Sequence, residues 1–126
     1  MLLEALIGIL IFSLGILALI ALQARAIASV SDAGYRSQAS YLADQIIGQI
    51  WVDRANMADY TLPAGSAPAL ATWLAQVNAK LPGTQANPPQ ITINAGTGQV
   101  TVTVLWQVPN SGTPHSQTAV TQINNP

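Results

Sequence analysis

Residues 1–24 read MLLEALIGILIFSLGILALIALQA, and this stretch decides the fold. From Ala5 to Ala24 no residue is charged, and most are Leu, Ile or Ala. An apolar run of about 20 residues is long enough to cross a bilayer as a helix. One acid, Glu4, stands at its tip. A carboxylate costs up to a few kcal/mol in hydrocarbon, depending on depth. Glu4 therefore needs either the interface or a cation, and the nearest cation is the α-amino group of residue 1. The run is longer than the ~7–15 residues of a secretory signal, and Glu4 has the wrong sign for its n-region. Ala24-Arg25-Ala26 keeps the small-x-small spacing of a cleavage site. Arg25 alone would put its end of a span in the cytoplasm, whereas a basic leader upstream of Met1 would reverse that orientation.

Downstream, no proline occurs before Pro63. Residues 2 to about 58 can form one continuous helix, roughly 85 Å long at ~1.5 Å per residue. Asp32 and Arg36 make an acid-first i,i+4 pair. Tyr35, Ala39, Leu42, Ala43, Ile46, Ile47, Ile50 and Trp51 recur at helical spacing and make an apolar stripe that needs a cover. Gly8 and Gly15 lie seven apart on one face, flanked by Ala5 and Ala18. Small residues on one face allow close helix approach in an apolar medium, though glycine is also simply commoner in membrane helices.

Leu62-Pro63-Ala64-Gly65 ends the helix. Ser66 is the expected N-cap of a second, short helix, with Pro68 in its first turn. Leu70, Trp73, Leu74, Val77 and Leu81 form its apolar side, and Pro82-Gly83 closes it. The rest reads as β. Ile91 and Ile93 share a face of Gln90–Asn94, and Ala95-Gly96-Thr97-Gly98 is a hairpin loop. Val100, Val102, Val104 and Trp106 alternate with Thr101, Thr103, Leu105 and Gln107. Pro109-Asn110-Ser111-Gly112 is a turn, and a weaker strand runs from Thr118 to Ile123. The expected class is α+β: a long helix, a short one, and about three antiparallel strands packed on the second half of the first. Three segments follow: 1–24 for the membrane, 25–62 for the amphipathic half of the helix, and 63–126 for a small head. Ile46, Ile50, Trp51, Trp73 and Trp106 are the expected contacts between head and helix.

Composition removes several function classes. The chain has 126 residues, a net charge of -1 and only 7% charged residues; soluble domains carry roughly 25%. The four basic residues, Arg25, Arg36, Arg54 and Lys80, make no stripe, so no nucleic-acid partner is expected. With no cysteine there is neither a disulfide nor a thiolate metal site. Asp44, Asp53 and Asp59 are too dispersed for a metal, and Asp53-Arg54 reads as a local surface pair. His115 reads as an exposed loop residue. Ser13 can bond a carbonyl one turn back and has no base beside it. Gly96-x-Gly98 precedes no helix, so it is not a phosphate loop. No constellation supports catalysis, and neither a cofactor nor a metal is expected.

Met1-Leu2-Leu3-Glu4-Ala5-Leu6-Ile7 running into a long apolar helix and a small β head resembles the type IV pilins. Leu2-Leu3-Glu4-Ala5-Leu6-Ile7 and Ile11-Phe12-Ser13-Leu14-Gly15-Ile16-Leu17 look like the PilV-type minor pilins, or pilus modification proteins. Val100 to Trp106 is similar to a strand of that group. The strong likeness covers the first fifth of the chain.

The resemblance implies a precursor with a short basic leader, cut and N-methylated by a prepilin peptidase near Met1. Glu4 would then neutralise an N-terminal amine, a neighbour's, as subunits leave the membrane. In the family the acid lies one step further from the cut than Glu4 lies from Met1. The implied partners are other minor and major pilins, the inner-membrane assembly platform and membrane lipid. The implied place is the inner membrane, with the head in the periplasm, and the pilus near its tip. Two departures separate the chain from major pilins: no proline in the apolar half and no disulfide. The alternative is a minor pseudopilin of a type II secretion system, whose membrane physics is the same. A head with no acid beyond Asp59 speaks against the calcium-binding kinds. A DNA-uptake pilin would need a basic stripe, and Lys80 is the head's only basic residue. A bitopic periplasmic protein outside any filament would keep its N-terminus unmethylated.

Overall fold

A computed structural model describes residues 1–124. The element order is α1 (Leu2–Val52), a 3-10 segment (Arg54–Tyr60), α2 (Pro68–Lys80), β1 (Gln90–Asn94), β2 (Gln99–Trp106) and β3 (His115–Gln122). The α+β layout is pilin-like: a 51-residue apolar-started helix, a short helix and a three-stranded antiparallel sheet. Two compact units result, Met1–Ala33 and Gly34–Pro126. The first is helix alone. The apolar run ends at Ala24, so the packed unit begins ten residues beyond it.

The second unit is organised by the stripe on α1. Ala39, Leu42, Ala43, Ile46 and Ile50 are buried, at the i, i+3, i+4, i+7 and i+11 positions of one face. Tyr35 and Ile47 flank it, partly buried. Trp51 departs from the expectation. It is 43% exposed, because it follows Ile50 by one residue and so points roughly 100° away around the helix. It lies outside the buried cluster that seats the head.

α1 stops earlier than the proline pattern suggests. Asp53 leaves helical geometry (φ -107°, ψ 38°), and the chain tightens into the 3-10 segment. The amide of Asn56 bonds the Asp53 carbonyl three residues back (2.9 Å), and side-chain bonds to Asp53 tie the segment together. The Asp53 carboxylate accepts from Asn56 Nδ2 at 2.8 Å and from the Tyr60 hydroxyl at 3.1 Å. Its ties are thus to Asn56 and Tyr60, not the expected pair with Arg54. Tyr60 itself is buried, and Leu62-Pro63 is a cis peptide.

Ser66 is not the N-cap of α2. Ala67 holds that place, without a side-chain cap, and Pro68 opens the helix. The amide of Ser66 is already spent on the Asp59 carbonyl (2.9 Å), as is that of Ala67 (3.1 Å). This turn crowds Gly65: a Cβ there would meet Asp59 O at 2.5 Å and Leu70 Cδ1 at 2.6 Å. Leu70, Trp73 and Val77 of α2 are buried, and Leu81 closes the same side.

The sheet order is β1-β2-β3. Register runs from Gln90↔Thr103 to Asn94↔Gln99, then from Gln99↔Gln122 to Trp106↔His115. Val100, Val102, Val104 and Trp106 are fully buried, as the alternation requires. They join Ile91, the α1 stripe and the α2 face in a single hydrophobic cluster. The 95–98 loop is built by Asn94, whose Oδ1 accepts from the amides of Gly96 (3.0 Å) and Thr97 (3.3 Å). Gly98 has φ +70°, and a Cβ there would run into the Ile123 carbonyl.

β3 begins at His115, three residues before the expected Thr118. The histidine is therefore a strand residue, directly opposite Trp106. Their rings stack with centroids 5.7 Å apart and planes at 18°. The aromatic cross-strand pair extends the ladder past the polar, turn-like Thr113-Pro114.

Candidate functional site

The most apolar 18-residue window of α1 is 0% buried by the rest of the chain. Leu6, Ile9, Leu10, Phe12, Leu17 and Leu19 are each 60% or more exposed. An isolated apolar patch above a few hundred Å² marks a contact surface. This one runs all round a helix, which suits a lipid or multi-helix environment rather than one face of a core. α1 is thus a candidate membrane anchor.

Glu4 sits in the first turn of α1. The orphan amides of a helix N-terminus favour a carboxylate there. The amide of Ala5 reaches the Met1 carbonyl at 3.2 Å, so the helix is closed from its first residue. Met1 and Glu4 are both exposed. Glu4 thus stands exposed one helical turn after Met1, at the tip of the apolar segment. Ser13 Oγ donates to the Ile9 carbonyl at 2.7 Å, so the hydroxyl is spent inside the helix. A Cβ at Gly8 or Gly15 would meet nothing within 4 Å, and the same holds for Gly34 and Gly48. Among the described residues no contact calls for these glycines, each costing roughly 0.5–1 kcal/mol of helix stability against alanine.

The head-seating residues divide clearly. Ile46, Ile50, Trp73 and Trp106 are buried, with exposures of 1%, 0%, 3% and 0%. Trp73 adds a polar tie, its Nε1 donating to the Leu42 carbonyl at 2.8 Å in a buried position. This pins α2 to α1 and could not be read from periodicity. Trp106 Nε1 is buried with no hydrogen-bond partner among the described residues. The burial of its ring and the stack on His115 hold it there.

Three features lie outside the sequence reading. Lys80 Nζ lies 5.3 Å from the centre of the exposed Tyr41 ring, a cation–π contact between α2 and α1. An open groove between the same helices has Ile46 and Trp73 at its floor and Gln45, Gln49 and Gln76 at its rim. Burial, then the bond to Asp53 and that carboxylate's charge, raise the Tyr60 phenol above its ordinary pKa of 10.0. Among the described residues no group of three or more His, Cys, Asp or Glu converges on a metal position.

Compared with protein-family models, with curated proteins and with solved structures, the chain gives no match.

Proposed function

We propose that this chain is a minor pilin, a structural subunit that primes or modifies type IV pilus assembly through helix packing in membrane and filament. One observation carries the reading: a wholly uncovered apolar helix tipped by Glu4 runs on, without a break in α1, into the stripe that seats a small head. A plain anchor needs the apolar segment but neither the acid nor a head built on the same helix.

In this reading the segment 1–24 lies in the inner membrane, with the head in the periplasm, before subunits pass into the pilus near its tip. Glu4 pairs with the N-terminal amine of a neighbouring pilin. The pair removes an isolated charge from an apolar surrounding, where a lone carboxylate is most costly. Gly8 and Gly15 let neighbouring helices approach closely. Processing near Met1 by a prepilin peptidase supplies the amine, and N-methylation leaves it cationic. The role assigns no catalysis, cofactor or nucleic acid to the chain.

The test is mass spectrometry of pili sheared from the native host. Finding the chain there, cut near Met1 and N-methylated, is the expected result. A processed, methylated chain confined to the inner membrane amid abundant pili would favour the type II secretion pseudopilin. An unmethylated chain with its leader intact would defeat both filament readings.

A further inference from the structure

α1 has two supports and a gap between them. The apolar run ends at Ala24, and the first fully buried residue is Ala39. Between them every side chain is exposed except Asp32 and Tyr35, which are half-buried. An isolated helix shorter than ~12–15 residues is marginal in water even with good helix formers.

The composition of the gap is uneven. Arg25, Ala26 and Ala28 at its start are good helix formers. Ser29-Val30-Ser31-Asp32-Ala33-Gly34 is not: Ala33 alone of the six has high helix propensity. Ser and Asp offer their own side chains to the backbone in non-helical turns, Val loses rotamer freedom, and Gly gains the most from unfolding. The i,i+4 spacing of Asp32 and Arg36 offsets only a small part of this. Gly34 has open space around it, so no packing requirement explains its lack of a side chain. The compact unit that carries the head begins at this same glycine.

We infer that Ser29–Gly34 is a joint built into α1, a stretch that unwinds locally while the apolar segment and the head both stay folded. The flanks raise the cost of opening, because the helix is nucleated on both sides. They also confine it: the head covers the flank from Ala39 onward, and detergent or lipid would cover the apolar flank, whereas the polar joint suits neither. Opening frees the amides of the six residues and of the turn that follows, which lose their i−4 carbonyls. The inference concerns the free energy of one helical stretch and stands whether or not the chain enters a filament.

Hydrogen exchange read by mass spectrometry on the full chain in detergent micelles tests it. Amides of residues 30–38 should exchange more than about tenfold faster than those of residues 8–22 and 42–50. A chain carrying Ser29→Ala, Ser31→Ala and Gly34→Ala together should slow that window by about tenfold or more. All three positions are exposed, so the head's thermal transition should stay where it is. Uniform protection from residue 8 to residue 50 would overturn the inference. So would a fast window indifferent to the triple alanine change.

Discussion

Trp73→Phe tests how the head is held on its helix. The wild-type indole is 3% exposed and donates to the Leu42 carbonyl at 2.8 Å. Phenylalanine keeps an aromatic ring in the same pocket and removes the donor. The lost hydrogen bond is worth about 1 kcal/mol. Leu42 sits mid-helix, so its carbonyl retains the α-helical bond and escapes the full cost of an unsatisfied group. The smaller ring adds a void, worth about 1 kcal/mol if the site collapses only in part. Together the change should destabilise the head by about 2 kcal/mol. Trp73→Ala, which empties the pocket, should cost about 3–5 kcal/mol. For a unit of this size about 2 kcal/mol lowers the melting temperature by roughly 8–16 °C. The assay is thermal melting of the full chain in micelles, followed by near-ultraviolet circular dichroism. A Trp73→Phe chain within about 0.5 kcal/mol of wild type would refute the assigned role of the bond.

Glu4→Ala should leave membrane insertion intact and sharply reduce recovery in sheared pili; normal recovery would remove the ion-pair mechanism. Gly98→Ala forces a side chain into the left-handed region and against the Ile123 carbonyl, and should cost at least about 2 kcal/mol in chemical denaturation. Tyr60 should ionise above the ordinary tyrosine value in an ultraviolet titration, because its raised pKa means that folding favours the neutral phenol. Its contribution to stability is full below the unfolded pKa and is lost as pH climbs through the folded one; titration at the ordinary value would contradict this. Trp51→Ala, at a 43% exposed position, should shift stability by no more than about 0.5 kcal/mol, whereas a loss above about 2 kcal/mol would place it back in the core.

Much of this architecture was legible because it rests on periodicity. The 3.6-residue recurrence of Ala39, Leu42, Ala43, Ile46 and Ile50 and the two-residue alternation from Val100 to Trp106 each define one apolar face. The failures have two causes. Trp51 was grouped with the stripe by type, although its position one residue after Ile50 turns it outward. Ser66 has the right side chain for a cap, but the helix opens at Pro68, so Ala67 holds the cap position while Ser66 joins a turn closed by the Asp59 carbonyl seven residues upstream. His115 looks like a loop residue after Thr113-Pro114, yet Trp106 provides a stacking partner across the strands. The Ser66 and His115 misses depend on contacts from outside the local window, whereas the outward turn of Trp51 is local helix geometry. Of the candidate site, the apolar segment and Glu4 are plain in the first 24 residues, because charge and hydropathy need no tertiary context. The Trp73–Leu42 bond joins residues 31 apart, and no local pattern encodes it.

The placement of charge makes the strongest case for an assembly role. A helix that only anchors gains little from an acid at its tip, about 0.3–1 kcal/mol from the helix N-terminus, and burying one unpaired would cost several kcal/mol. Glu4 is tolerable in three settings: at the interface, protonated, or beside a cation. At the interface the helix N-terminus prefers Glu to Gln only weakly, and a protonated Glu carries no charge that Gln lacks. The third setting is the one that depends strongly on the charge. Glu4→Gln therefore separates the readings more sharply than Glu4→Ala, since it keeps the side chain's size and polarity. If pairing with a neighbour's amine drives entry into the filament, Glu4→Gln should be as poorly recovered in sheared pili as Glu4→Ala. If the acid merely favours the helix N-terminus, Glu4→Gln should be recovered almost normally, because that effect is worth only about 0.3–1 kcal/mol at an exposed site.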